Sequence, residues 1–156
     1  MLFSKSKKNI TGLPLTNSQI HQKFINALTK RGQKHISEHV LRNSLTLIKM
    51  KELKDLHFLS KAIRHAKPLI QLKNLQQGFR KKLLKPLPIN SNRGYKLAID
   101  WIIQGAQKRT ERTMSLRLYL ELLQAYSKKG YAVKQKETYH NECKLSFFSS
   151  KTKDSL

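Results

Sequence analysis

Apolar side chains recur every three or four positions along most of this chain, and the rhythm breaks at a few glycines and prolines. Ile20, Phe24, Ile25 and Leu28 predict a short amphipathic helix from Gln19 to Lys30, closed by Lys30-Arg31-Gly32-Gln33-Lys34 with Gly32 as its C-cap. Ile36, Val40, Leu41, Ser44, Leu45 and Ile48 predict a second helix. Leu56, Leu59, Ala62 and Ile63 predict a third, from about Asp55 to Ala66. Pro68 stops that helix, because proline disfavours helical backbone at the residue before it. The rhythm then changes: Leu69 to Leu75 alternates weakly, Gln76-Gln77-Gly78 supplies a turn, and Phe79 to Ile89 returns. Pro86 and Pro88 lie two apart, so both turn their missing N–H to one outer side of an edge strand. Two strands alone are marginal in water, so a hairpin here requires another element against it; the rival reading is a solvated loop.

Beyond Asn92, helical spacing resumes. Leu97, Trp101, Ile102, Gly105 and Ala106 share one face of a fourth helix. Thr113 is placed as the N-cap of a fifth, with Met114, Leu116, Leu120 and Leu123 as its stripe and Lys128-Lys129-Gly130 as its stop. Arg117 and Glu121 stand at the i,i+4 spacing of a surface ion pair. Tyr131-Ala132-Val133 reads as a short joint. A last helix over about Lys134–Phe147 carries Tyr139, Cys143 and Phe147, before a polar, fraying tail from Ser149 to Leu156. The expected class is therefore mainly α, a six-helix bundle with a protruding two-stranded β-hairpin between the third and fourth helices. Its divisions are a basic arm at 1–15, one helical domain at 16–148 with the hairpin at about 68–90, and a tail at 149–156.

Charge changes the picture. The chain has 32 Lys and Arg against 9 Asp and Glu, a net +23 over 156 residues. Solubility of a small domain asks for only about 2–8. A compact chain so charged repels itself unless a polyanion neutralises it, and release of phosphate counterions drives that binding. With no apolar run of about 18 residues, no bilayer span is expected, and nucleic acid is favoured over a membrane surface. At 38% hydrophobic residues the chain is rich enough to fold. The single cysteine, Cys143, excludes an internal disulfide and a cysteine-rich zinc site, and reads as a small buried apolar group. His35 and His39 are four apart but lack a third ligand, so neither a metal nor a cofactor is expected. No glycine-rich phosphate loop, nucleophile motif or spaced carboxylate pair appears, and no catalytic residue is assigned.

The cations are dispersed. Lys5, Lys7 and Lys8 lie in the arm, where an organelle presequence is the alternative; a helix starting at 16–18 would leave almost no leader. Arg31 and Lys34 lie in the first junction, ahead of the first carboxylate, Glu38. From Leu56 to Ile99 there is no acid and ten Lys and Arg, among them Lys73, Arg80, Lys81, Lys82, Lys85 and Arg93. Lys108, Arg109 and Arg112 mark the corner between the fourth and fifth helices, followed by Arg117, Lys134 and Lys136. One DNA-reading helix would concentrate its cations; spread ones suit a protein wrapped by folded RNA, read through shape and backbone. These seventeen residues are the candidate RNA contacts.

Three segments then carry a resemblance. They are Lys23-Phe24-Ile25-Asn26-x-Leu28 with Gly32-Gln33-Lys34 and Val40-Leu41-x-x-Ser44; Trp101-Ile102-Ile103 through Ala106-x-Lys108-Arg109 to Thr113-Met114-Ser115-Leu116-Arg117-Leu118; and Gly130-x-Ala132-Val133-Lys134-x-Lys136-Glu137-x-x-His140. In this order they resemble the small-subunit ribosomal protein seven family, in its bacterial and organellar form, from about Gln19 to Phe148. The resemblance implies the six-helix fold with its hairpin. It also implies primary binding to the 3′ major domain of small-subunit rRNA and organisation of the subunit head. The hairpin would lie near the exit-site tRNA and the mRNA, beside neighbouring head and platform proteins. Three departures stand out: Gln33 where the family usually has a second cation, Gly78-Phe79 where it has a glycine pair, and loss of its pattern after His140. The Lys, Asn, Ile and Leu bias and the short arm favour a mitochondrially encoded copy over a plastid or bacterial one. A free-standing basic regulator of DNA or mRNA is the alternative function, and a membrane-surface or scaffolding module a more distant one.

Overall fold

The computed structural model describes residues 15–50, 57–77 and 81–154. Its elements are α1 (Asn17–Leu28), α2 (Lys34–Met50), α3 (Phe58–Ala66), β1 (Ile70–Gln77), β2 (Lys81–Pro88), α4 (Ser91–Lys108), α5 (Met114–Tyr126) and α6 (Tyr131–Asp154). The expected architecture is present: six helices and one antiparallel hairpin between the third and fourth. The arm cations Lys5, Lys7 and Lys8, the hairpin tip at Gly78, Phe79 and Arg80, and the proposed start of the third helix at Asp55 and Leu56 lie outside the described residues.

The core follows the periodic positions. Ile20, Phe24, Leu41, Ile48, Ile63, Ile102, Leu118 and Leu122 are almost wholly buried, joined by Ser44, whose Oγ–H donates to Leu41 O at 2.8 Å. Burying one large aliphatic or aromatic side chain contributes about 1.5–3 kcal/mol, so this cluster dominates the stability of the fold. Phe58 stacks on Tyr126 with centroids 4.7 Å apart, and Trp101 meets the edge of Tyr139 at 5.8 Å. Cys143 is buried, as its position on the apolar face required, and burial pushes its thiol above the ordinary value.

Element ends depart from expectation for identifiable reasons. The first helix stops at Leu28, not Lys30: the Thr29 backbone is already extended, at φ −67° and ψ 123°, and its hydroxyl and amide both donate to Ile25 O. Gly32 is thus not a C-cap; with Arg31 it forms a left-handed turn, at φ +75° and +53°. Such a φ suits glycine and strains arginine. Thr113 caps α5 as expected, its side chain accepting the Leu116 N–H. The supposed joint at Tyr131–Val133 is instead the first turn of α6, and that helix runs past Phe147 to Asp154. Its outer portion leaves the core: Leu145 and Phe147 are exposed.

The hairpin docks on α6, which supplies the supporting element its two strands need. The Leu69 N–H donates to His140 Nε2 at 3.2 Å, and Ile89 N–H to Leu69 O at 3.0 Å. Because Leu69 and Ile89 form a hydrogen-bonded pair, the alternating pairs Ile70–Pro88 and Leu72–Pro86 are non-hydrogen-bonded. The prolines therefore cost the ladder nothing.

Candidate nucleic-acid interface

Cations that are far apart in sequence converge on the folded chain. The α1–α2 turn and the α4–α5 corner, some eighty positions apart, wall a single recess of about 360 Å³. Lys30 and Gln33 come from the first, Gln107 from the end of α4, and Met114 and Arg117 from α5. Arg31 and Lys34 are exposed on the same turn, and Lys34 reaches Glu38 at only 3.8 Å, a solvent-exposed pair of small worth. Lys108 is exposed at the corner, where its ammonium lies 4.2 Å from the Tyr131 ring centroid and donates to the Tyr131 hydroxyl at 2.9 Å. Arg112 is exposed beside it.

Arg109 turns the other way. Its Nε and one terminal nitrogen donate to Glu121 Oε2 at 3.2 and 3.0 Å, and that nitrogen also reaches Gln124 Oε1 at 2.6 Å. Its other nitrogen lies 3.5 Å from Glu111. Glu121 has a side chain only 2% exposed; its second oxygen accepts the Ala132 N–H at 3.3 Å. The expected Arg117–Glu121 surface pair is therefore not formed: Glu121 faces inward to Arg109, and Arg117 donates from Nε to Glu111 O. The carboxylate lies between two glycines. A Cβ on Gly105 would come within 2.8 Å of it, and one on Gly130 within 2.9 Å. One glutamate thus ties the end of α4, the body of α5 and the first turn of α6, and fixes the corner from inside.

A second basic surface lies between α1 and α4, in a groove of about 560 Å³ lined by Lys23, Asn26, Asn92, Arg93, Lys96 and Asp100. Arg93 was expected here. Lys23 and Lys96 were not among the candidate RNA contacts, although Lys23, Asn26 and Ala27, and then Asn92, Lys96 and Asp100, fall at the spacing of one helical face. Desolvation raises the Asp100 carboxyl above its ordinary value, against the opposing pull of Lys96.

On the hairpin, Lys73 and Lys85 are direct cross-strand partners and both are exposed. Like charges so placed destabilise a free ribbon. Lys81 and Lys82 pair with Gln77 and Gln76. Lys134 is exposed near the start of α6, whereas Lys136 spends its ammonium on His65 O, at the end of α3, at 2.7 Å. Among the described residues no group of three or more His, Cys, Asp or Glu gathers to hold a metal; His39 lies 3.3 Å from the Asn43 amide instead. No helix among them is long and apolar enough to cross a membrane.

The amino-acid sequence of this basic helical bundle matches a known family profile. The profile of ribosomal protein S7p/S5e matches residues 3–146. The chain belongs to that family. It is 38% identical to the small ribosomal subunit protein uS7 of Wigglesworthia glossinidia brevipalpis over 128 residues, 81% of each chain. It is 36% identical to uS7 of Syntrophobacter fumaroxidans over 135 residues, 86% of each. It is also 36% identical to the small ribosomal subunit protein uS7m of Reclinomonas americana, over 87% of this chain and 86% of that one. The family match runs from before α1 into α6, so the recess, the groove and the hairpin all fall within it.

Proposed function

We propose that this chain is a structural component of the small ribosomal subunit, with rRNA as its main partner and no catalytic role. The observation that carries it is the family match over nearly the whole chain, on a fold whose exposed cations converge from separate junctions. The two carboxylates nearest the corner, Glu111 and Glu121, are both engaged by Arg109, so they do little to offset Lys108 and Arg112. The phosphate-facing set is Arg31, Lys34, Lys73, Lys85, Arg93, Lys108, Arg112, Arg117 and Lys134, with Lys23 and Lys96 added. Lys5, Lys7, Lys8, Arg80, Lys81 and Lys82 extend it along the arm and hairpin. Arg109 and Lys136 hold the protein frame that presents them.

The finer assignments belong to the same proposal. The RNA is the 3′ major domain of the head, and the hairpin lies by the exit-site tRNA and the mRNA, beside head and platform proteins. The residue bias favours a mitochondrial ribosome over a plastid or bacterial one, and a uS7m, that of Reclinomonas americana, stands among the relatives beside the bacterial uS7 proteins. Sedimentation tests the core of this reading: the chain co-migrates with small subunits in high salt, whereas a free-standing regulator of DNA or mRNA strips off. In direct binding, Arg112→Ala flattens the slope of log affinity against log salt by about 0.7–0.9, the value of one lost phosphate contact. An unchanged slope removes that residue from the RNA.

A further inference from the structure

The recess between the α1–α2 turn and the α4–α5 corner has more in it than phosphate binding uses. Leu28, Ile36, Val40 and Met114 give it apolar walls, and Ile36 remains 54% exposed although it stands on a core-type position. At about 360 Å³ the recess falls in the size range of small-ligand sites, about 300–1,000 Å³. No carboxylate lines it, and Lys30 and Arg117 stand on its wall. Two side-chain amides, Gln33 and Gln107, line it from opposite elements. The backbone of Gln33 is held in place: its carbonyl accepts the Ser37 N–H at 3.4 Å and the Ser37 hydroxyl at 3.3 Å.

We infer that this recess receives one unstacked nucleobase of the bound rRNA, its faces against the apolar walls and its edge read by Gln33 and Gln107, with Lys30 and Arg117 on the flanking phosphates. The inference rests on the rRNA reading above. Apolar walls with cations and neutral amides suit a splayed base, because sequence-specific RNA recognition acts on unpaired bases through their faces and edges. A glutamine amide offers a donor and an acceptor side by side, the pattern that pairs with adenine N6 and N7. Adenine is therefore the assigned base. Gln33 takes on a role here: at a position where a cation would add a phosphate contact, this chain has an amide that reads a base.

The test uses the full chain and full-length small-subunit rRNA, with base-specific chemical probing, hydroxyl-radical footprinting of the backbone and a salt series. Gln33→Ala and Gln107→Ala are both at exposed positions and leave the core untouched. Wild-type binding protects one unpaired adenine. Each variant restores that base's reactivity and lowers affinity about 5- to 100-fold, with the backbone footprint and the salt slope unchanged. Unchanged affinity and unchanged base reactivity in both variants would overturn the inference while leaving rRNA binding intact. Binding of the wild-type chain with no unpaired base protected would also overturn it, since the recess would then stand empty of RNA. Failure of the wild-type chain to bind rRNA would overturn the RNA reading itself.

Discussion

Replacing Arg109 by methionine separates a framing cation from an RNA-binding one. The change keeps a long apolar stem and removes four hydrogen bonds, two to Glu121 and one each to Gln124 and Glu111. Glu121 then keeps only the Ala132 N–H, at 3.3 Å, in a site where its side chain is 2% exposed. Breaking a buried ion pair from one side costs about 3–5 kcal/mol, because the remaining charge is left without its partner. The arginine side chain is 17% exposed, so water relieves part of this and the lower end, about 3 kcal/mol, applies. For a chain of this size each kcal/mol moves the midpoint about 2–4 °C, giving a loss of about 6–12 °C in thermal unfolding. Glu121→Gln in the same background keeps an acceptor for Ala132 and removes the stranded charge, so it recovers part of the loss. The resulting double-mutant cycle isolates the pair. In the salt series, at a temperature where the variant is folded, Arg109→Met leaves the slope intact. A loss below about 1 kcal/mol together with a flatter slope would refute the framing role and return Arg109 to the RNA.

Other expectations follow from the same contacts. Gly105→Ala places a Cβ 2.8 Å from the Glu121 carboxyl carbon, and destabilises by about 1–3 kcal/mol in urea titration, the usual cost of overpacking. Lys73→Glu turns a repulsive cross-strand pair into an attractive one. It stabilises the free hairpin by about 0.2–1 kcal/mol, seen as slower amide exchange, while weakening RNA binding. Burial, then Lys136 and Lys144, holds His140 below the ordinary imidazole value of 6.5, and its Nε2 accepts the Leu69 N–H. A folded pKa below the unfolded one stabilises fully above about pH 6.5 and is lost as pH falls through the lowered value. Exchange protection of the Leu69 amide therefore drops on acidification below pH 6.5, and a flat profile from pH 8 to 5 would sink this reading.

Much of the fold was legible because it is written locally. Trp101, Ile102 and Ala106 are buried as their spacing predicts, and Thr113 caps the helix that it precedes. Two misreadings share one cause, a partner supplied from a distance. Glu121, eleven residues earlier, binds the Ala132 amide, so no Ser, Thr or Asp announces the start of α6. Sequence alone places Arg109 among the RNA contacts because nothing beside it shows that it bends back to a residue twelve positions on. One sign was available: Glu121 occupies the stripe of Leu118, Leu122 and Ala125, and a carboxylate on a core face demands a buried partner. The two grooves were out of reach for a related reason, since each is shared by helices that are not neighbours in sequence.

The last helix touches much of what precedes it: Glu121 through Ala132, the end of α3 through Lys136, the base of the hairpin through His140. A nascent chain therefore leaves the exit tunnel with its corner and hairpin unsettled until residues 131–140 have emerged. For the few seconds this takes, at roughly 5–20 residues per second, it is a polycation without its finished shape.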